Sequence, residues 1–241
     1  MKSNKEILNK AINLLCLTDR SALEKKSLNG VKYSVSSREN QRKLIISWLI
    51  KNDLNSSMNQ NEQNFIETKV GKLDIKEVNY YQLQYECIQP LLWILGLVNE
   101  VSNYDNFVID DFHLTLKIND FNQVKILNEI ENKKRNIKQM NTKRLISMLW
   151  FWRLIEINNN VFQIKSAEEI IISVFGKDFK HIVEEMKILG LMRRDFIVND
   201  TEITQLPNGI INRLKVISQF RYHSFEWVFS DMSWEEVELN T

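Results

Sequence analysis

Glu86, Arg221 and His223 are the residues from which a site could be assembled: a carboxylate, a guanidinium and an imidazole, each set among apolar neighbours. Glu86 stands in the phrase QYECIQPLLWILGL, residues 84–97. On a helix it shares one face with Gln82 and Gln89, while Tyr81, Tyr85, Ile88, Leu92 and Leu95 form an apolar stripe. Pro90 has no amide hydrogen, so the Glu86 carbonyl loses its helical donor and a kink is expected there. A freed acceptor beside a carboxylate would suit a ligand. The preferred reading is plainer: a solvated Gln/Glu stripe with water on that carbonyl.

Arg221 and His223 belong to the final helix. Asn212, Lys215, Gln219, Tyr222 and Glu226 mark its wet face by their spacing, leaving Arg221 in a stripe with Leu214, Ile217 and Val228. His223 falls in a second stripe with Val216, Phe220 and Trp227. A buried guanidinium without acceptors is costly. In the functional reading, Glu86 or His223 does acid–base work while Arg221 holds an anion or a polar peptide group. In the preferred structural reading, Arg221 pins the C-terminal segment through Asp231, Glu235 or Glu236, and His223 is a satisfied core imidazole.

Other chemistries lack their residues. His113, His181 and His223 are isolated, with no second ligand at metal spacing on the same element, so no metal is expected. There is no nucleophile elbow or Cys–His pair of known spacing, hence no recognisable catalytic signature. Six glycines leave no room for a phosphate-cradling loop, and no cofactor is expected. Cys16 and Cys87 sit inside apolar helical patterns and read as small buried hydrophobes. The basic segment KKRNIKQMNTKR, residues 133–144, adjoins Trp150, Phe151 and Trp152, a combination able to bind nucleic acid. Those aromatics, however, lie in a helix that is apolar all round, which makes them core.

The elements that must position these groups are mostly helices. With 6 Gly and 2 Pro in 241 residues, turns are few and elements long, unlike a sandwich or propeller. The expected fold is mainly α, a compact multi-helix domain over 1–241 with one or two short β-hairpins and a subdivision, if any, near 131–141. Helices are read over roughly 3–28, through Leu44, Ile45, Trp48 and Leu49, through Phe65 and Ile66 (capped by Ser56 or Ser57), and from Asp74 onward. Alternation at Phe112, Leu114, Leu116 and Ile118 suggests a strand, followed by a charged helix to Lys138. Asn141 or Thr142 would cap the next helix. NNNVFQIKSAEEII reads as turn, strand and a helix capped by Ser166 and Glu169. A hairpin turning at Asn199-Asp200 and a last helix from Pro207 to Phe229 complete the chain. Trp234 is expected to pack the acidic ending back onto the domain.

Three phrases, QLQYECIQPLLWILGLVNE, WLIKNDL followed by NEQNFIE, and the ending RYHSFEWVFSDMSWEEVELNT, resemble the bacterial and viral domain-of-unknown-function family 4272. The first looks like that family's acid, apolar residues, Leu-Trp, small apolar pair and Gly. The likeness is strongest over 82–100 and 221–241. It departs at Pro90, where the family has an aliphatic residue, at Glu226, where it has Asn, and in MLWFWR, which lacks an Arg and a His before Trp152. The resemblance implies a helical architecture and no catalytic residues, because the family has no established activity.

A net charge of +1 selects no nucleic acid, membrane or acidic partner. The start lacks the compact apolar run of a signal peptide, so a cytoplasmic location is expected. The favoured function is a non-enzymatic protein-interaction partner, an adaptor or a neutralising protein. The alternatives are an enzyme built on Glu86, Arg221 and His223, and a nucleic-acid binder using 133–144 with Arg193 and Arg194.

Overall fold

The computed structural model describes residues 1–25, 27–28, 31–118, 130, 133–158 and 161–239. It is mainly α, with two short antiparallel strand pairs. Contacts divide the chain into two compact units: residues 1–101, 108–135 and 227–231 form the first, and 102–107, 136–226 and 232–241 the second. One crossing between them falls after Arg135, inside the stretch 131–141.

The first unit is organised around α1 (Asn4–Ala22). Ser3 and Glu6 form a reciprocal capping box at its start. Every residue from Lys10 to Leu17 is buried, because α4 (Ile75–Leu83) and α5 (Tyr85–Ile94) pack along it, with α2 (Val35–Lys51), α3 (Gln60–Glu67) and α6 (Phe112–Leu116) also in contact. α1 ends six residues before the sequence pattern suggests. The chain instead turns into a hairpin in which β1 (Ser27–Leu28) pairs with β2 (Val31–Lys32). Asn29 and Gly30, between the two strands, lie outside the described residues. Ser34 then accepts the Ser37 amide and opens α2.

Three expectations fail in this unit for identifiable reasons. α3 is capped by Asn59 with Glu62, not by Ser56 or Ser57. The Ser57 hydroxyl is engaged elsewhere, donating to the Leu54 carbonyl and accepting from Asn13. The break in the fourth helix comes at Gln84 rather than Pro90, which lies inside α5. The supposed strand is α6: Asp111 accepts the amides of His113 and Leu114, and Lys117 ends the helix in the left-handed region. Phe112 and Leu116, four apart, are buried, while Leu114 between them is 61% exposed, a helical period rather than a strand's. The charged helix expected next falls largely on residues 119–129 and 131–132, outside the described residues.

In the second unit, α7 (Ile137–Ile155) starts from Asn136, whose capping box with Gln139 pre-empts Asn141 and Thr142. The short strand expected after it is a helical turn, α8 (Val161–Ile164). Ser166 and Glu169 do cap α9 (Ala167–Phe175), and α10 (Lys180–Ile188) follows. β3 (Ile197–Val198) pairs with β4 (Thr201–Glu202) around Asn199 and Asp200, both at positive φ as a type I′ turn demands. α11 (Asn208–Phe229) begins just after Pro207 and runs on into the first unit from Trp227.

The tryptophans are interior. Trp93 and Trp227 in the first unit and Trp150 in the second are each at most 6% exposed, and Cys16 and Cys87 are buried outside any disulfide. Among the described residues no helix is long and apolar enough to cross a membrane.

Candidate functional site

Glu86 is 2% exposed, and its Oε1 accepts the Val108 amide at 2.6 Å. Gln89, also buried, donates to Asp110 Oδ2 at 2.7 Å, and the Tyr85 hydroxyl reaches the Asp110 carbonyl. The Gln/Glu face of α5 is therefore covered by residues 108–110 and is not a solvated stripe. A carboxylate on a buried amide makes a strong charge-assisted bond. Here it fixes a loop. Burial, ahead of nearby carboxylates, pushes the Tyr85 hydroxyl up to about 12.

Arg221, 0% exposed, does the corresponding job in the second unit. Its Nη1 donates to the carbonyls of Ser102 and Asn103 at 2.6 and 2.9 Å, and its Nη2 to that of Asn106 at 3.2 Å. Arg213 donates to the Asp105 carbonyl. Between these anchors Tyr104 stacks on Trp150 with centroids 5.0 Å apart and shares a hydrogen bond with Ser147. These acceptors are backbone carbonyls of a loop that the sequence reading did not name. In the C-terminal segment Trp234, 4% exposed, is packed as expected and sits edge-on to His223 at 4.5 Å. Glu236 caps the Ser233 amide. Tyr222, assigned to the wet face, is buried, and burial followed by the nearby Glu226 raises its hydroxyl well above the ordinary range.

Glu86 thus belongs to the first unit, and Arg221 and His223 to the second, on one helix. The basic segment is dispersed in its partners as well. Arg135 donates to the carbonyls of Val98 and Asn99 and lies over Trp93, Lys134 reaches the Lys2 carbonyl, and Arg144 pairs with Glu226. Lys133 and Lys138 are exposed. Arg193 pairs with Asp200 on the surface.

Several buried polar groups carry no mark in the sequence. Arg153 and Asp195 form a two-pronged buried pair at 2.9 and 2.6 Å. In the first unit, Arg20 and Arg42 donate to the carbonyls of Thr68 and Glu67, while Glu24 and Glu39 accept the amides of Gly71 and Val70. The Arg42 guanidinium holds the Glu39 carboxyl down to about 2. Spacing alone makes Arg20/Glu24 and Glu39/Arg42 look like surface pairs, because the backbone they hold, residues 67–71, is distant in sequence.

His113 Nε2 meets Asp19 Oδ2 at 2.8 Å, with Asp111 3.6 Å from Nδ1. The hydrogen bond to Asp19 raises the imidazole above its ordinary value against a smaller burial effect. A raised folded value means that the contribution to stability is complete below the unfolded value, about 6.5, and is lost as pH climbs through the folded value. Urea unfolding at pH 6 and 8.5 should show the wild type losing stability with rising pH more steeply than His113→Gln. Equal slopes would remove the imidazolium from the account. Among the described residues no group of three His, Cys, Asp or Glu could hold a metal ion.

The sequence model of the family described as "Domain of unknown function (DUF4272)" matches residues 1–172, which takes in the phrase at 82–100 and stops short of 221–241. No curated protein and no solved structure matches the chain. With well over half of its length covered, including the Leu-Trp phrase that closes α5, the chain belongs to the DUF4272 family.

Proposed function

We propose that the protein is a non-enzymatic binding protein that acts through a protein surface in a reducing cytoplasm, as an adaptor or a neutralising partner. The observation that carries this reading is the treatment of residues 108–110. Three side chains of α5 fix Val108 and Asp110, and between them Ile109 is 95% exposed. An apolar side chain on a pre-ordered loop docks with little entropic cost, and such anchors dominate binding energies. The groups with catalytic chemistry, Glu86 and Arg221, are engaged by backbone instead. Two buried cysteines outside any disulfide fit a compartment that keeps thiols reduced.

The product of the gene adjacent to this one is the first partner to test. Purified, it should bind the wild-type protein and bind Ile109→Glu at least about tenfold more weakly, with thermal stability unchanged. Equal affinity for the two proteins, or no binding by any neighbouring gene product, would count against this reading.

A further inference from the structure

A cavity of about 340 Å³ lies in the first unit between the end of α1 and the start of α2. Its size matches the small end of ligand pockets. Ala22, Leu23, Tyr33 and Ile45 supply apolar wall, and Lys25, Arg38 and Asp19 supply charge. Arg38 is 8% exposed and holds the C-terminal end of α1 through Nη1, which donates to the Leu23 carbonyl at 2.9 Å and more weakly to those of Glu24 and Lys25.

The charged residues of the wall say which kind of ligand suits it. Asp19 is the acidic group in the wall, and it is already paired with His113. Among the described residues, Arg38 and Lys25 are the charged groups of the lining without a carboxylate partner, so the cavity favours a negative head. The guanidinium has the planar donor set suited to an oxyanion. The apolar wall formed by Ala22, Leu23 and Ile45, with the Tyr33 ring beside it, suits a small hydrocarbon body.

We propose that this cavity binds a small organic monoanion, a carboxylate or sulfonate on an aromatic or short aliphatic body, with its head at Arg38 and Lys25. The site is independent of the surface around Ile109.

The test uses the full chain and 1-anilinonaphthalene-8-sulfonate as probe, with its uncharged relative N-phenyl-1-naphthylamine as the comparison. The sulfonate should bind saturably at one site. Affinity should fall at least about tenfold for Lys25→Glu and for Arg38→Gln, and binding should vanish in Ala22→Trp, which fills the cavity. The uncharged dye should bind at least about tenfold more weakly than the sulfonate. Because Arg38 also holds the end of α1, Arg38→Gln is read only if its thermal unfolding remains cooperative. Lys25→Glu, at an exposed position, decides the matter otherwise. Absent or unsaturable binding overturns the proposal, as does unchanged binding in Ala22→Trp or Lys25→Glu. Equal affinity for the two dyes would leave an apolar hole without the proposed specificity and overturns it too.

Discussion

Gly96→Ala should destabilise the first unit by about 3 kcal/mol or more, from a left-handed penalty of about 1–2 kcal/mol and backbone overpacking of similar size. Gly96 closes α5 at φ +70°. Its amide goes to the Trp93 carbonyl and the Leu97 amide to that of Leu92, the two bonds of a Schellman ending. The neighbouring Ile94 carbonyl is taken by the Arg135 amide at 2.9 Å, which brings residues 133–135 against the end of the helix. A Cβ on Gly96 would overlap the Lys133 carbonyl oxygen and come within 2.9 Å of the carbonyl carbon. Gly190 is the internal control. It ends α10 with the same two bonds at the same φ of +70°, but a Cβ there would meet nothing within 4 Å. Gly190→Ala should therefore cost only the conformational part, about 1–2 kcal/mol. Denaturant unfolding of the two variants measures the difference, and equal losses would mean that the close approach of Lys133 is not there.

The second large effect is expected at Arg221. Arg221→Met removes the donor to three carbonyls, those of Ser102, Asn103 and Asn106, and leaves polar groups in the interior. Allowing for partial relaxation, the loss should be about 3 kcal/mol. Arg221→Lys should recover only part of it, because an ammonium cannot reproduce the fork that serves carbonyls on both Nη1 and Nη2. The measurement is again denaturant unfolding. A stable Arg221→Met protein would show that the guanidinium is dispensable for folding and would reopen the reading in which it holds an anion.

What was legible in the sequence was local and periodic. The Ser166/Glu169 box, the turn at Asn199-Asp200 and the all-round apolar run that buries Trp150 depend on neighbours within a few residues. Such signals survive folding. The Leu-Trp to Gly phrase was also visible, although its purpose was not: Trp93 lies under the Arg135 guanidinium, and Gly96 must lack a Cβ because residues 133–135 approach it.

The misreadings share one cause. Helical periodicity placed Glu86 with Gln82 and Gln89 on a polar face, and polar faces usually meet water. Here, residues about twenty positions onward cover Glu86 and Gln89, supplying a buried amide that only a polar side chain can satisfy. Arg221 was correctly placed among hydrophobes, but the carbonyls it serves lie more than a hundred positions upstream, beyond the reach of any spacing rule. At Phe112–Leu116 alternation competed with capping, and the Asp111 cap prevailed because it satisfies two amides at once. No spacing rule could have joined His113 to Asp19 across that distance in sequence.

Native-state amide exchange at Val108 tests most directly whether the buried polar residues hold backbone in place. The amide lies in a loop, yet it is buried and bonded to Glu86 at 2.6 Å. It should exchange within about an order of magnitude of the protected α5 amides such as that of Leu91. Exchange at the rate of an open loop would mean that Glu86 does not hold this segment, and the carboxylate would again be a candidate for chemistry.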